Sequence, residues 1–236
     1  MKRLNKKVTF ITNLILTSVL LIVLAVSFLP EKIVPIYSEN NIEAIYNGNR
    51  EKPNVSIMFN VYENTEIVNG ILDELKNKNV KGTFFVGGCW ADDNKETLIR
   101  IVNEGHEIAN HGYFHKDHKK LSEQGNVEEI SHTNVIVKAL CGVEPTLFAP
   151  PSGSFSVTTL KVAEQMNLKV IMWSKDTIDW RDSDENLIIK RATKDVENGD
   201  FILMHPKKHT LNALPKIIDY YQSVGFSLVT VSQSLI

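Results

Sequence analysis

Seven short runs rich in β-branched and aromatic residues alternate with six longer amphipathic runs. That alternation restricts the fold of this chain more than any other feature. The strand-like runs cover 55–61, 82–86, 107–109, 146–149, 170–173, 201–204 and 227–231. The helix-like runs cover 66–78, 95–103, 124–140, 157–166, 185–196 and 211–223. Ile71, Leu72 and Leu75 carry the spacing of one helical face. Ser156 and Asp184 stand where N-caps belong, and Gly225 where a C-cap belongs. Strands separated by helices of this length predict βαβ units on a parallel sheet. Right-handed crossovers wind such units into either a barrel or a doubly wound sheet.

This domain occupies 55–236, about the size that supports one sizeable core. Residues 31–54, with Pro35, Pro53, Gly48 and many asparagines, read as a linker and lead-in. Residues 1–30 are of another kind. Between Lys7 and Glu31 there is no charged residue, and the run is dominated by Leu, Ile and Val. It is long enough for a transmembrane helix. Lys2, Arg3, Lys6 and Lys7 place its start in the cytoplasm and the domain outside, as a single-pass cell-membrane protein. The alternative is secretion after cleavage near Ser27, where Ala25-Val26-Ser27 has the small-x-small pattern of a signal peptide. The formal net charge of −2 offers no basic surface for nucleic acid. Cys89 and Cys141 are too few for a disulfide framework and read as small buried hydrophobes, though one disulfide between them is open.

The polar residues that stand out fall at the C-terminal ends of predicted strands: Asn60, His111 and His115, Pro150-Pro151, Asp176, Asp179-Trp180 and His205. In parallel α/β folds that edge carries the functional site. His111 and His115, four apart, suit one metal ion if the segment coils tightly. His118 reads as a surface neighbour. His205, after the apolar run Phe201-Ile202-Leu203-Met204, suits a general acid, with Asp179 or Asp176 to orient its ring.

Taken in order, these segments resemble the polysaccharide deacetylases, the NodB-homology domain of carbohydrate esterase family four. The stretches are Gly82-Thr83-Phe84-Phe85-Val86, Gly105-His106-Glu107-Ile108-Ala109-Asn110-His111-Gly112 with His115, Leu147-Phe148-Ala149-Pro150-Pro151-Ser152-Gly153, Met172-Trp173-Ser174 through Asp179-Trp180, and Ile202-Leu203-Met204-His205. The resemblance implies a distorted (β/α) barrel of about seven parallel strands and a divalent metal, usually zinc, held by His111 and His115. It further implies His205 as general acid, Asp179 as the residue orienting it, and a substrate groove along Pro150, Pro151, Gly153 and Trp180. The implied activity is removal of acetyl groups from N-acetylated cell-wall polysaccharide, peptidoglycan or chitin-like.

The departures are specific. Where the family has Thr-Phe-Asp-Asp-Gly, this chain has Met58-Phe59-Asn60-Val61-Tyr62, so Asn60 holds the position of the base and Val61 that of the metal aspartate. Where the family has Arg-Pro-Pro-Tyr-Gly, it has Ala149-Pro150-Pro151-Ser152-Gly153. An arginine left in a buried pocket without its carboxylate would cost about 3–5 kcal/mol, so losing both partners leaves no orphaned charge. Two functions follow as expectations. One is a metal-dependent N-deacetylase; the other is a catalytically impaired, extracytoplasmic glycan-binding module. Glu63 is the nearest carboxylate that could replace a lost ligand.

Overall fold

A computed structural model describes residues 6–27 and 42–236. These form two units: the N-terminal part up to residue 41, and a compact unit from Ile42 to Ile236. The first contains helix α1, Lys6–Ser27, whose described side chains, residues 10–21, are exposed apolar or small polar groups. Among the described residues no helix is long and apolar enough to cross a membrane. Lys2, Arg3, the last anchor residues 28–30 and linker residues 31–41 lie outside the described residues, as do the side chains at the Ala25-Val26-Ser27 site.

In the second unit the elements run β1 (Asn54–Val61), α2 (Thr65–Asn77), β2 (Thr83–Val86), α3 (Gly88–Asp93), α4 (Lys95–Asn103), β3 (Glu107–Asn110), α5 (Glu123–Cys141) and β4 (Leu147–Phe148). They continue with α6 (Val157–Gln165), β5 (Lys169–Val170), β6 (Lys175–Asp176), α7 (Glu185–Thr193), β7 (Asp200–Met204), α8 (Lys208–Ser223), β8 (Ser227–Leu228) and α9 (Val231–Ser234). The sheet order is β5-β4-β3-β2-β1-β7-β6, with β8 against the start of β1, and every ladder is parallel. Seven strands curved within a shell of helices form the distorted (β/α) barrel.

The run 170–173 does not form one strand. β5 stops at Val170, Ile171 pairs with Ile45 of the lead-in, and the chain re-enters the sheet as β6 beside β7. Ile45 donates to the Val170 carbonyl and accepts from Met172, so residues 42–47 complete the backbone bonding at the barrel's open edge. Sequence alone hid this because the lead-in lacks a strand pattern of its own. The run 227–231 is likewise shorter than expected. Thr230 bonds Gln233 reciprocally as a capping box and turns the chain into α9.

Strand β1 is wholly buried and shows how period two sorts the core. Val55, Ile57, Phe59 and Val61 pack on the helices, with Phe59 stacked on Phe84 at 5.0 Å between centroids. Met58 joins Phe85, Ala149, Ile171 and Leu203 inside the barrel. The opposite direction of alternate side chains makes Asn60 the last inward residue of β1 and turns Val61 outward. The expected caps are present: Ser156 and Thr159 form a capping box, and Asp184 accepts from Asn186 and Leu187. Gly225, just beyond α8, takes φ +88°. Replacing Ser156 by alanine should cost about 1 kcal/mol, read as a lower denaturation midpoint at unchanged m-value.

Cys89 and Cys141 are both free and half-buried. The Cys141 thiol donates to the Val137 carbonyl at 3.1 Å, and burial pushes its pKa up.

Candidate functional site

A cavity of about 570 Å³ opens at the C-terminal ends of the strands. Asn60, His111, His115, Asp176 and His205 all line it, and Trp180 stands at its wall, 55% exposed. Asp179 lies beneath, 1% exposed and bonded to His205. Residues 60, 111, 115, 179 and 205, distant in sequence, therefore converge on one pocket.

The imidazole pair is built by the turn after β3. Asn110 accepts the Gly112 N–H and donates to Ile130 and Asn134 of α5. Glu129, buried on α5, accepts the N–H groups of Tyr113 and Phe114 and pairs with Lys116 at 3.1 Å. Gly112 has φ +72°, and a Cβ there would lie 3.1 Å from His118 Nε2. The turn brings the His111 and His115 rings to 5.2 Å between centroids, at 67°. His111 Nδ1 donates to the Ala149 carbonyl at 2.8 Å, which fixes the tautomer and leaves Nε2 with its lone pair free. Burial, aided by His115, pushes the His111 pKa down to about 3, so the ring is neutral at ordinary pH. Burial and the neighbouring His205 also lower that of His115.

Across the pocket, Asp179 accepts the His205 backbone N–H and the His205 Nδ1–H, both at 2.7 Å, and the Thr210 hydroxyl at 2.6 Å. Of the two aspartates, Asp179 is the one bonded to the His205 ring. Asp176 instead accepts the Ile178 N–H in a local turn and presents its remaining surface to the cavity. With Nδ1 committed to the carboxylate, His205 has Nε2 left for a ligand, the arrangement of a carboxylate–imidazole dyad.

Several sequence expectations change. Pro150, Pro151 and Gly153 do not line the cavity; of that turn Ser152 does, at φ +55°. The turn is held from behind, where a Cβ on Gly153 would lie 2.7 Å from the Trp173 ring. His118 is not a surface neighbour. It is fully buried, with Nδ1 2.7 Å from Asn126 Oδ1, because the loop folds under α5 and α6. Glu63 lines the same cavity and pairs with Lys207 at its wall.

Sequence reasoning passed over Tyr62, Leu203 and Lys207 on the cavity wall. Tyr62 was legible, since it stands where the family has glycine. Its ring is 5.1 Å from that of His115, and a Cβ on Gly87 would come within 2.2 Å of it. Its hydroxyl donates to the Tyr113 carbonyl at 3.3 Å, and burial, then Cys89, pushes its pKa up to about 12.

The donor set does not make a catalytic metal centre. Two neutral imidazoles face the pocket with the amide of Asn60, whereas such centres normally have three protein ligands. Val61, at the metal-aspartate position, is buried among the helix-facing residues. Among the described residues no three His, Cys, Asp or Glu side chains are grouped to hold a metal.

Fold and site together define a parallel (β/α) barrel with a dyad and an imidazole pair facing one cavity at its C-terminal edge. The polysaccharide deacetylase family model matches residues 47–171. The chain is 37% identical over 191 residues to the uncharacterised protein YlxY of Bacillus subtilis, covering 81% of this chain and 60% of that one. It is 34% identical over 191 residues to a peptidoglycan-N-acetylglucosamine deacetylase of Bacillus cereus, covering 79% and 70%. Among solved structures, a carbohydrate esterase family four pseudoenzyme from Bacillus anthracis superposes with a TM-score of 0.80 at 32% identity, covering 82% of this chain and 69% of that one. A mutant of that pseudoenzyme is described as having restored enzymatic activity. The chain belongs to the polysaccharide deacetylase family.

Proposed function

We propose that this chain holds N-acetylated cell-wall glycan, of peptidoglycan type, in the pocket without hydrolysing it at an enzyme's rate. It is then a catalytically impaired member of its family acting as a glycan-binding module. The observation that carries the reading is the neutral wall beside the imidazole pair. Asn60 stands where a base is needed, and an amide cannot take a proton at neutral pH. Ala149 replaces the arginine that would steady such a base, and Val61 turns into the core. What survives is a shaped cavity with Trp180 exposed at its wall, an apolar face suited to a sugar ring.

A second reading, slow deacetylation, draws on the intact dyad. His205, oriented by Asp179, has the position to protonate a leaving amine. It still lacks a base to activate water.

The module is proposed to stand outside the cell, tethered by its N-terminus. Supporting this is the run after Lys7 in the sequence, which holds no charged residue before Glu31 and is rich in Leu, Ile and Val. Four basic residues at its start favour a cytoplasmic N-terminus.

Binding and turnover of an N-acetylglucosamine tetramer by the full-length chain in detergent separate the readings. Saturable binding without acetate release is the expected result. Trp180→Ala should weaken that binding about tenfold, or ~1.4 kcal/mol. Acetate release lost in His205→Ala would establish the enzyme instead. Absence of both binding and turnover would refute both readings.

A further inference from the structure

We propose that Arg181 is a positioning residue. Its guanidinium holds the Trp180 ring at the cavity wall, and Asp182 ties that guanidinium to Arg191 of α7. The inference rests on the glycan reading above and adds how the stacking face is held before a ligand arrives.

A mobile indole loses freedom when a ligand settles on it, and that loss weakens binding. Trp180, although 55% exposed, is already restrained. Arg181 Cζ lies over its ring, 5.9 Å from the centroid. Arg181 donates to both oxygens of Asp182, each at 2.9 Å, the two-pronged bond of a guanidinium to a carboxylate. Arg191 donates to the same carboxylate at 2.6 Å and to the Thr177 carbonyl at 3.0 Å. Arg181 and Arg191 together hold the Asp182 carboxyl below the usual carboxylate range, so it stays charged. Thr177 is buried, and its hydroxyl donates to the Leu203 carbonyl of β7. The indole is thus linked, group by group, to a helix and to the sheet.

Stability alone does not account for this chain of contacts. The Arg181 side chain is 56% exposed, and ion pairs so placed contribute little to folding. The loop also passes through Ile178, a β-branched residue at φ +55°. Asp176 accepts the Ile178 N–H, and the Ile178 carbonyl accepts those of Arg181 and Asp182. Such a conformation persists only where its surroundings over-determine it. The reversal sends Asp179 under His205 and the next side chain, Trp180, to the cavity. With the guanidinium on one face of the indole, a sugar ring stacks on the other.

Two measurements on the full-length chain in detergent test this. One is 15N relaxation of the Trp180 indole N–H, one of three indole signals in this chain. The other is isothermal titration with the N-acetylglucosamine tetramer. Arg181→Ala should lower the Trp180 order parameter and weaken the tetramer about fivefold at an unchanged melting temperature. Arg181→Lys keeps the charge without the planar fork, and should fall between; it carries the test if the alanine variant does not fold. In a Trp180→Ala background, Arg181→Ala should change affinity no further. An indole as rigid in the folded Arg181 variants as in the unaltered protein overturns the inference. A loosened indole with unchanged affinity overturns it too, and leaves the glycan reading standing. An equal loss in the Trp180→Ala background assigns Arg181 to the ligand itself and also overturns it. Failure of the unaltered protein to bind the tetramer overturns both readings.

Discussion

Asn60→Asp, Val61→Asp and Ala149→Arg introduced together should raise zinc affinity about 100-fold, read by competition with a chromophoric chelator. Completing the ligand set and adding its supporting partner should each contribute roughly tenfold. The three changes act as a unit. An arginine at position 149, inside the barrel with Met58 and Leu203, needs the carboxylate introduced at position 60 as its partner. Val61 presents the largest obstacle, because its side chain packs on the helix-facing side of β1. Val61→Asp alone should cost about 3–5 kcal/mol of stability, as an unpaired buried charge does. In the triple variant zinc should restore part of it, about 2.7 kcal/mol at a hundred times the dissociation constant. Denaturation with and without zinc reads that recovery directly. Tyr62 is a further obstacle, its ring lying against His115, so adding Tyr62→Gly should increase affinity again. A folded triple variant whose zinc affinity matches that of the unaltered chain would show that positions 60 and 61 are not those of the family's aspartates.

Asp179→Ala should lower global stability by about 3 kcal/mol by chemical denaturation, the largest loss expected from a single polar residue of the site. Asp179 is buried and accepts three donors: the His205 backbone N–H, the His205 ring and the Thr210 hydroxyl. Truncation leaves all three without their acceptor in a place that water does not reach, and hydrogen bonds to a carboxylate are worth about 1.5–3 kcal/mol each before such losses. Asp179→Asn should cost less. One amide oxygen still serves the backbone N–H and Thr210, while the amide nitrogen faces the ring. His205 then switches tautomer, accepting at Nδ1 and carrying its proton at Nε2 toward the cavity. Ring nitrogen shifts of His205 would report the switch. Loss of less than about 1 kcal/mol in Asp179→Ala would mean the dyad is not under the stress its bonding suggests.

Asp179 and Asp176 are alike in sequence context and differ only in the folded chain. Both follow the fifth predicted strand, and both fit the role of orienting His205. Their separation depends on a chain reversal: Asp176 ends β6 and closes a local turn, while Asp179 drops under His205 beside α8. No spacing rule encodes that difference, because Ile178, at φ +55°, redirects the backbone between them.

Legible in consecutive residues were most of the alternating strands and helices, though not β6, α3 or α9, together with the strand-end placement of the polar residues, the family and its missing aspartates. Those are local: period, caps and residue identity are written in consecutive positions. Tertiary structure alone decided that Ile45 completes the open edge of the barrel, that His118 is buried and that Val61 faces the helices. It also left the Asn60 oxygen without a partner. These depend on contacts between segments far apart in the chain, where packing direction and unmet hydrogen bonds are set by neighbours that no local pattern names.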